Sequence, residues 1–196
     1  EDLLALSKGL SSEMIAAATK IMSNLDLIQG AAKIEVQTTC QTTIGQKGVL
    51  ASRAQPNHPS DNLKGMRASL YEALSYGIGD AVIGINPVID TTDNIYALLN
   101  ETKNIINEWS IPTQNCVLSH VTSQMRAIEK GASADLIFQS LAGTEAGNDS
   151  FGISLSMLDE ATALIHEKGT AKGPNRWYFE TGQGSELSAE AHYNID

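Results

Sequence analysis

Apolar residues recur at helical spacing through SSEMIAAATKIMSNLDLIQ (11–29), behind a Ser-Ser-Glu start that reads as a cap, so the spacing predicts a helix. KIEVQTTC (33–40) alternates and is rich in β-branched residues, the pattern of a strand. GQKGVLASRAQPNHPSD (45–61) has neither period and reads as a long polar loop, with a helix after it in NLKGMRASLYEALSY (62–76). The alternation then repeats. DAVIGIN (80–86), NCVLSH (115–120), DLIFQSL (135–141) and RWYFETG (176–182) are apolar runs of strand length. TTDNIYALLNETKNIINEW (91–109), TSQMRAIEKG (122–131) and SFGISLSMLDEATALIHEKG (150–169) are helices between them, the last two closed by glycine, the usual left-handed stop.

Strand after helix after strand, with strands apolar nearly throughout, means a parallel sheet covered by helices. An open doubly wound sheet and a (β/α)8 TIM barrel both fit that order. The open sheet's phosphate fingerprint, GxGxxG after the first strand, is absent. Instead a polar residue stands at the C-terminal end of nearly every strand: Asn86, His120, Gln139 with Ser140, and Glu180. That is the edge on which barrels carry their active sites. The fold class read from the sequence is therefore α/β, a (β/α)8 TIM barrel to which this chain supplies about five βα units. Residues 1–30 form a helical lead-in, and 31–196 the first five βα units, without the C-terminal strands. A whole barrel takes ~250 residues.

Charge narrows the partners. With 13 basic against 23 acidic residues the formal net charge is -10, and the basic residues form no run. Nucleic-acid grooves and anionic membrane surfaces both need clustered Lys and Arg, so neither is expected as a partner. No stretch approaches the ~20 apolar residues of a membrane span, and EDLLALSKGL lacks the basic-then-apolar pattern of a signal peptide. Cys40 and Cys116 form no CxxC pair and no zinc set, so free thiols in a cytoplasmic compartment are expected.

The loop SRAQPNHPSD (52–61) sets a cation, Arg53, and an amide, Gln55, two positions apart, which puts both on one side of extended backbone. Two prolines stiffen the rest of the loop. A surface turn with a stray arginine has the same composition. His58 reads as a metal ligand or as a loop histidine bonded to backbone. Asn86, ending an apolar strand ahead of Pro87, needs its amide satisfied by backbone or by a ligand. His120 reads as a general base or as a satisfied strand-end residue. SLAGTEAGND (140–149) and ETGQGSELS (180–188) are glycine-rich loops that admit close approach of a bulky ligand, or simply turn tightly. Glu180 ends an aromatic strand, where an unpaired carboxylate is costly to bury. It either pairs with Arg53 or another basic side chain, or awaits a cationic substrate.

Taken together, LASRAQPNHPSD, GDAVIGINPV, IPTQNCVLSHVT, DLIFQSLAGTEAGN and YFETGQGSELSAEAH resemble the large subunit of ethanolamine ammonia-lyase, in the family's order and over nearly the whole chain. The resemblance implies a central portion of that subunit. It also implies a (β/α)8 barrel binding adenosylcobalamin, with its cobalt, and ethanolamine. The expected reaction converts ethanolamine to acetaldehyde and ammonia by radical 1,2-amine migration, often inside a bacterial microcompartment. A small subunit covering the cofactor and a homo-oligomer of large subunits are the implied partners. Arg53 and Asn86 match positions that hydrogen-bond the substrate hydroxyl. Gln55 and Glu180 match positions that accept from its ammonium, which makes Glu180 and Arg53 the catalytic pair. Pro87, Gln139, Ser140 and Ser188 match positions near the cofactor, and no protein metal ligand is expected. The family's further substrate aspartate, on a later strand, has no counterpart in this sequence. Two other classes share the features read from the residues: a barrel lyase or aldolase acting on another small amine, and a non-catalytic truncated piece.

Overall fold

A computed structural model of the chain describes residues 6, 9–33, 35–142 and 145–181. In chain order its elements are α1 (Ser12–Ile21), α2 (Asn24–Ala31), β1 (Thr38–Thr39), β2 (Thr43–Ile44), β3 (Arg53–Ala54), α3 (Leu63–Ser75), β4 (Val82–Ile85), α4 (Thr92–Glu108), β5 (Asn115–Val117), α5 (Val121–Glu129), β6 (Ile137–Leu141), α6 (Glu145–Ser150), α7 (Leu155–Lys168) and β7 (Trp177–Thr181). They fall into two compact units. The larger holds Val36–Gln139 and Leu155–Phe179, and the smaller is drawn from Glu1–Glu35, Ser140–Ser154 and Glu180–Asp196.

In the larger unit the apolar strand runs are buried on both faces, as a parallel sheet under helices requires. β3 pairs with β4 and β4 with β5, both parallel, with Arg53 opposite Val82 and Ile83 opposite Asn115. Backbone bonds from Leu136 to the Asn115 carbonyl (3.1 Å) and from Ile137 to the Arg176 carbonyl (2.9 Å) carry the same sequential order to the starts of β6 and β7. Alternation sends Ile83 to one side, where it packs with Ala54, Leu70, Ile105 and Ile106. Val82 goes to the other, with Cys40, Cys116, Leu136 and Ala171. The helices follow their local signals. The Thr91 hydroxyl caps α4 by accepting from the Asn94 N–H, and the helix then buries Ile95, Leu98, Leu99, Ile105 and Ile106 on one stripe. The Asn62 side chain caps α3 in the same way.

Four boundaries differ from the sequence reading. The segment expected as one helix over 11–29 is two, because Ser23 and Asp26 form a capping box that starts α2 afresh. The segment read as one helix over 150–169 gives only the last residue of α6 and then α7, with Gly152 in the left-handed region (φ 70°) between them. The strand expected over 33–40 is reduced to Thr38–Thr39, antiparallel to Thr43–Ile44. This hairpin does not join the parallel order. It lies across the N-terminal ends of the strands, where the Gln114 side-chain oxygen accepts from the Gln41 and Thr42 amides (3.1 Å each) and Asn175 donates to the Thr39 carbonyl (3.0 Å). The first parallel strand is instead β3, inside the segment read as a polar loop. Two residues carry no period, and only the pairing with β4 makes them a strand.

Both cysteines are free, and both lie in one apolar cluster. Burial, with Asp135 nearby, pushes the Cys40 thiol up to about 11, and burial raises Cys116 as well. Neither is a thiolate near neutrality. At pH 8 a thiol reagent should therefore find no fast-reacting group in the folded chain and two groups once denaturant is added. Rapid labelling of either cysteine in the native state would contradict this burial.

Candidate functional site

Arg53 opens β3 and is half-buried, its stem beside Gly84. A Cβ at Gly84 would crowd Leu118 (2.8 Å) and the Cys116 sulfur (3.3 Å), while meeting the Arg53 Cδ only at ordinary contact distance (3.8 Å). Its guanidinium donates through Nη1 to the Tyr178 hydroxyl and through Nη2 to the Gln55 side-chain oxygen. It also lies 5.6 Å from the centroid of the Tyr178 ring. Arg53, Tyr178, Cys40, Val82, Gln114 and Asn175 line a cavity of about 300 Å³ toward the N-terminal ends of the strands. The entry to β3 is pinned by Ser52, whose N–H (2.8 Å) and hydroxyl (2.7 Å) donate to the Asp80 carboxylate and hold it below the ordinary carboxylate range. The expected pairing of Arg53 with Gln55 on one side of extended backbone is what the structure shows.

Asn86 follows β4 immediately and is exposed, and its N–H donates to the Pro56 carbonyl (3.3 Å). That bond continues the β3–β4 pairing by two residues and lays Asn86–Pro87 beside the chain that follows Gln55. Gln55, Asn86 and Pro87 thus lie past the C-terminal ends of two adjacent strands, while Arg53 starts level with Val82 and reaches Gln55 through its side chain. The set offers a forked cation, two amides and a phenol, suited to orienting a small polar molecule by hydrogen bonds.

The remaining expected residues lie further along the chain. Glu180 is the fourth residue of β7 and exposed, two positions beyond Tyr178, so alternation gives the two the same face of that strand. Ser140 is the fourth residue of β6. Gln139 is buried, and its side-chain oxygen accepts from the Val121 N–H (2.8 Å) at the start of α5, which joins β6 to that helix. Ser188 lies outside the described residues. His120 caps α5 and bonds the Thr122 hydroxyl (2.8 Å), the structural alternative read from the sequence. His58 does likewise for its loop, its Nδ1 accepting from the Ser60 and Asn62 amides.

Four polar residues that the sequence reading did not single out also stand out in the structure. Tyr178 receives Arg53; only its spacing from Glu180 hinted at it. Asp61 is a buried carboxylate at the end of SRAQPNHPSD. Arg176, ahead of β7, is buried with Nε and Nη1 unpartnered among the described residues, as is the Ser119 hydroxyl after β5. No group of three or more metal-ligating side chains occurs among the described residues, and no described helix is long and apolar enough to cross a membrane.

The family model for "Ethanolamine ammonia lyase large subunit (EutB)" matches residues 1–196. The chain is 49% identical over 196 residues to the ethanolamine ammonia-lyase large subunit of Escherichia coli (strain K12), covering 100% of this chain and 43% of that protein. It is 48% identical over the same length to the large subunit of Salmonella typhimurium, again covering 43% of it. The chain therefore spans less than half the length of the curated relatives it matches.

Proposed function

Since this chain belongs to the ethanolamine ammonia-lyase large-subunit family, we propose that it forms the substrate-orienting part of an adenosylcobalamin-dependent enzyme that converts ethanolamine to acetaldehyde and ammonia. The observation that carries the reading is the Arg53–Gln55–Tyr178 network, whose Gln55 leads into the chain that pairs with Asn86 past the end of β4. Arg53 and Asn86 hold the substrate hydroxyl. Gln55 and Glu180 accept from the ammonium. An amine migration needs both ends of a two-carbon substrate fixed and water kept out, more than it needs strong general acid–base power. The five strands β3 to β7, in sequential order, are the first five of a (β/α)8 barrel after a helical lead-in within 1–30, and the rest of the subunit completes it.

The residues present fit the cofactor. The rim of a corrin carries neutral amides, which need hydroxyls and amides as partners rather than charges. The orphaned, buried Ser119 hydroxyl is of that kind. Pro87, Gln139, Ser140 and Ser188 hold cobalamin in this reading. When bound, adenosylcobalamin supplies the radical by homolysis of its cobalt–carbon bond. A small subunit covers it, large subunits assemble with one another, and the assembly works within a bacterial microcompartment.

The test is turnover of ethanolamine by the intact enzyme, with its small subunit and adenosylcobalamin, alongside the Arg53→Lys variant. A point-like ammonium cannot bridge Gln55 and Tyr178 as the fork does. Loss of one charged hydrogen bond, about 1.5–3 kcal/mol, should lower kcat/KM by about ten- to a hundredfold, with cobalamin binding intact. Wild-type kinetics in Arg53→Lys would remove the guanidinium from the substrate site.

A further inference from the structure

The connections after β3 and β4 carry Gln55, Asn86 and Pro87, and one side chain ties them together. Asp61 is buried and sits in the left-handed region at φ 49°. Its carboxylate leaves its own loop and takes two backbone N–H groups from the next and a side-chain amide from the helix that follows it. Val88 donates to both oxygens (3.0 and 2.9 Å), Ile89 to Oδ2 (2.8 Å), and the Asn94 side-chain amide in the first turn of α4 also to Oδ2 (2.8 Å). Asn94 donates in addition to the Ile89 carbonyl (2.8 Å). The Asn86–Pro87 pair thus has the bond from Asn86 to Pro56 on one side and this carboxylate clasp on the other. The loop that presents Asp61 is itself fixed. The Asp61 N–H donates to the His58 carbonyl (3.0 Å), and the His58 ring lies so close to Gly65 that a Cβ there would come within 2.2 Å of it.

Such a clasp exceeds what a surface turn needs. A turn of this kind is satisfied by water, whereas here a buried charge is stabilised by N–H groups from the neighbouring loop and the helix after it. We propose that Asp61 is a positioning residue for the substrate hydroxyl: its carboxylate sets Asn86 against Arg53 and Gln55 without touching the substrate. The proposal rests on the reading of this site as one that binds ethanolamine.

Asp61→Gly removes the carboxylate and keeps the left-handed backbone without strain. Asp61→Asn keeps one oxygen acceptor. In the intact enzyme Asp61→Gly should raise the KM for ethanolamine by about tenfold or more, the value of one well-placed hydrogen bond. Asp61→Asn should raise it less, and kcat should change less than KM in both. Ethylamine, tested as a competitive inhibitor, lacks the hydroxyl that Asn86 holds, so its Ki should rise much less than the ethanolamine KM. A role confined to loop stability would weaken both amines equally. Equal weakening, or an unchanged KM in folded Asp61→Gly, overturns the proposal. Where Asp61→Gly does not fold, the ratio of the two amines in Asp61→Asn decides by the same criterion. A wild-type enzyme without ethanolamine turnover sinks the functional reading instead, and that result is seen before any variant is measured.

Discussion

Glu180→Gln is expected to be the most damaging conservative substitution in the intact enzyme. Glu180 stands exposed near the end of β7, two residues beyond the tyrosine that receives Arg53. Glutamine keeps the shape but replaces a carboxylate oxygen with an N–H2 group, which presents donors to a substrate ammonium that has only donors itself. A hydrogen bond between charged partners is worth about 1.5–3 kcal/mol, and ~1.4 kcal/mol is a factor of ten. Ethanolamine binding should therefore weaken by about ten- to a hundredfold from this cause alone. On the proposed reading turnover should fall further, because there the same carboxylate steadies the migrating amine. Steady-state kinetics, run beside a cobalamin-binding titration, checks both parts. A variant with near wild-type turnover would take Glu180 out of the reaction and leave it a surface carboxylate.

The second large effect concerns stability. Asp135 precedes β6 with a fully buried side chain, and pairs with Lys103 of α4 at 2.7 and 2.9 Å. It also accepts from the Asn115 N–H (3.1 Å) and the Thr170 hydroxyl (2.7 Å). The pair therefore joins α4, β5, β6 and the chain after α7 at the N-terminal side of the strands. Removing one member of such a pair leaves the other charged and desolvated, at a cost of about 3–5 kcal/mol. Asp135→Ala should lower the urea midpoint accordingly with little change in slope. Asp135→Asn, which keeps an acceptor for the Asn115 amide, should cost less. Residues at this end of a parallel sheet serve the fold rather than the chemistry, so enough of the variant folded at low temperature should retain the ethanolamine KM. A midpoint within experimental error of wild type would show that the pair contributes nothing net.

The proposed substrate set illustrates which kind of information a sequence holds. Arg53 and Gln55 were legible because extended backbone fixes the direction of residues two apart, whatever surrounds them. The starts of α4 and α3 were legible to within a residue, and the caps that Thr91 and Asn62 supply there act across only three residues. Periodicity likewise placed β4, β5, β6 and α4 to within a few residues, and the resemblance named the family. Ser23 and Asp26 also form a local signal, but the apolar period running through them concealed it.

Tertiary structure alone decided the rest. β3 is a strand only because β4 supplies its partners, and the Thr-rich segment before it folds back as a hairpin because Gln114 and Asn175 meet it there. One partner of Arg53, Tyr178, is 125 residues away, and the Asp61 carboxylate reaches 27 residues to Val88. A side chain's chemistry states that it needs a donor or an acceptor. It carries no address for one. Over three or four residues the backbone geometry supplies that address, and beyond them only the packed fold can.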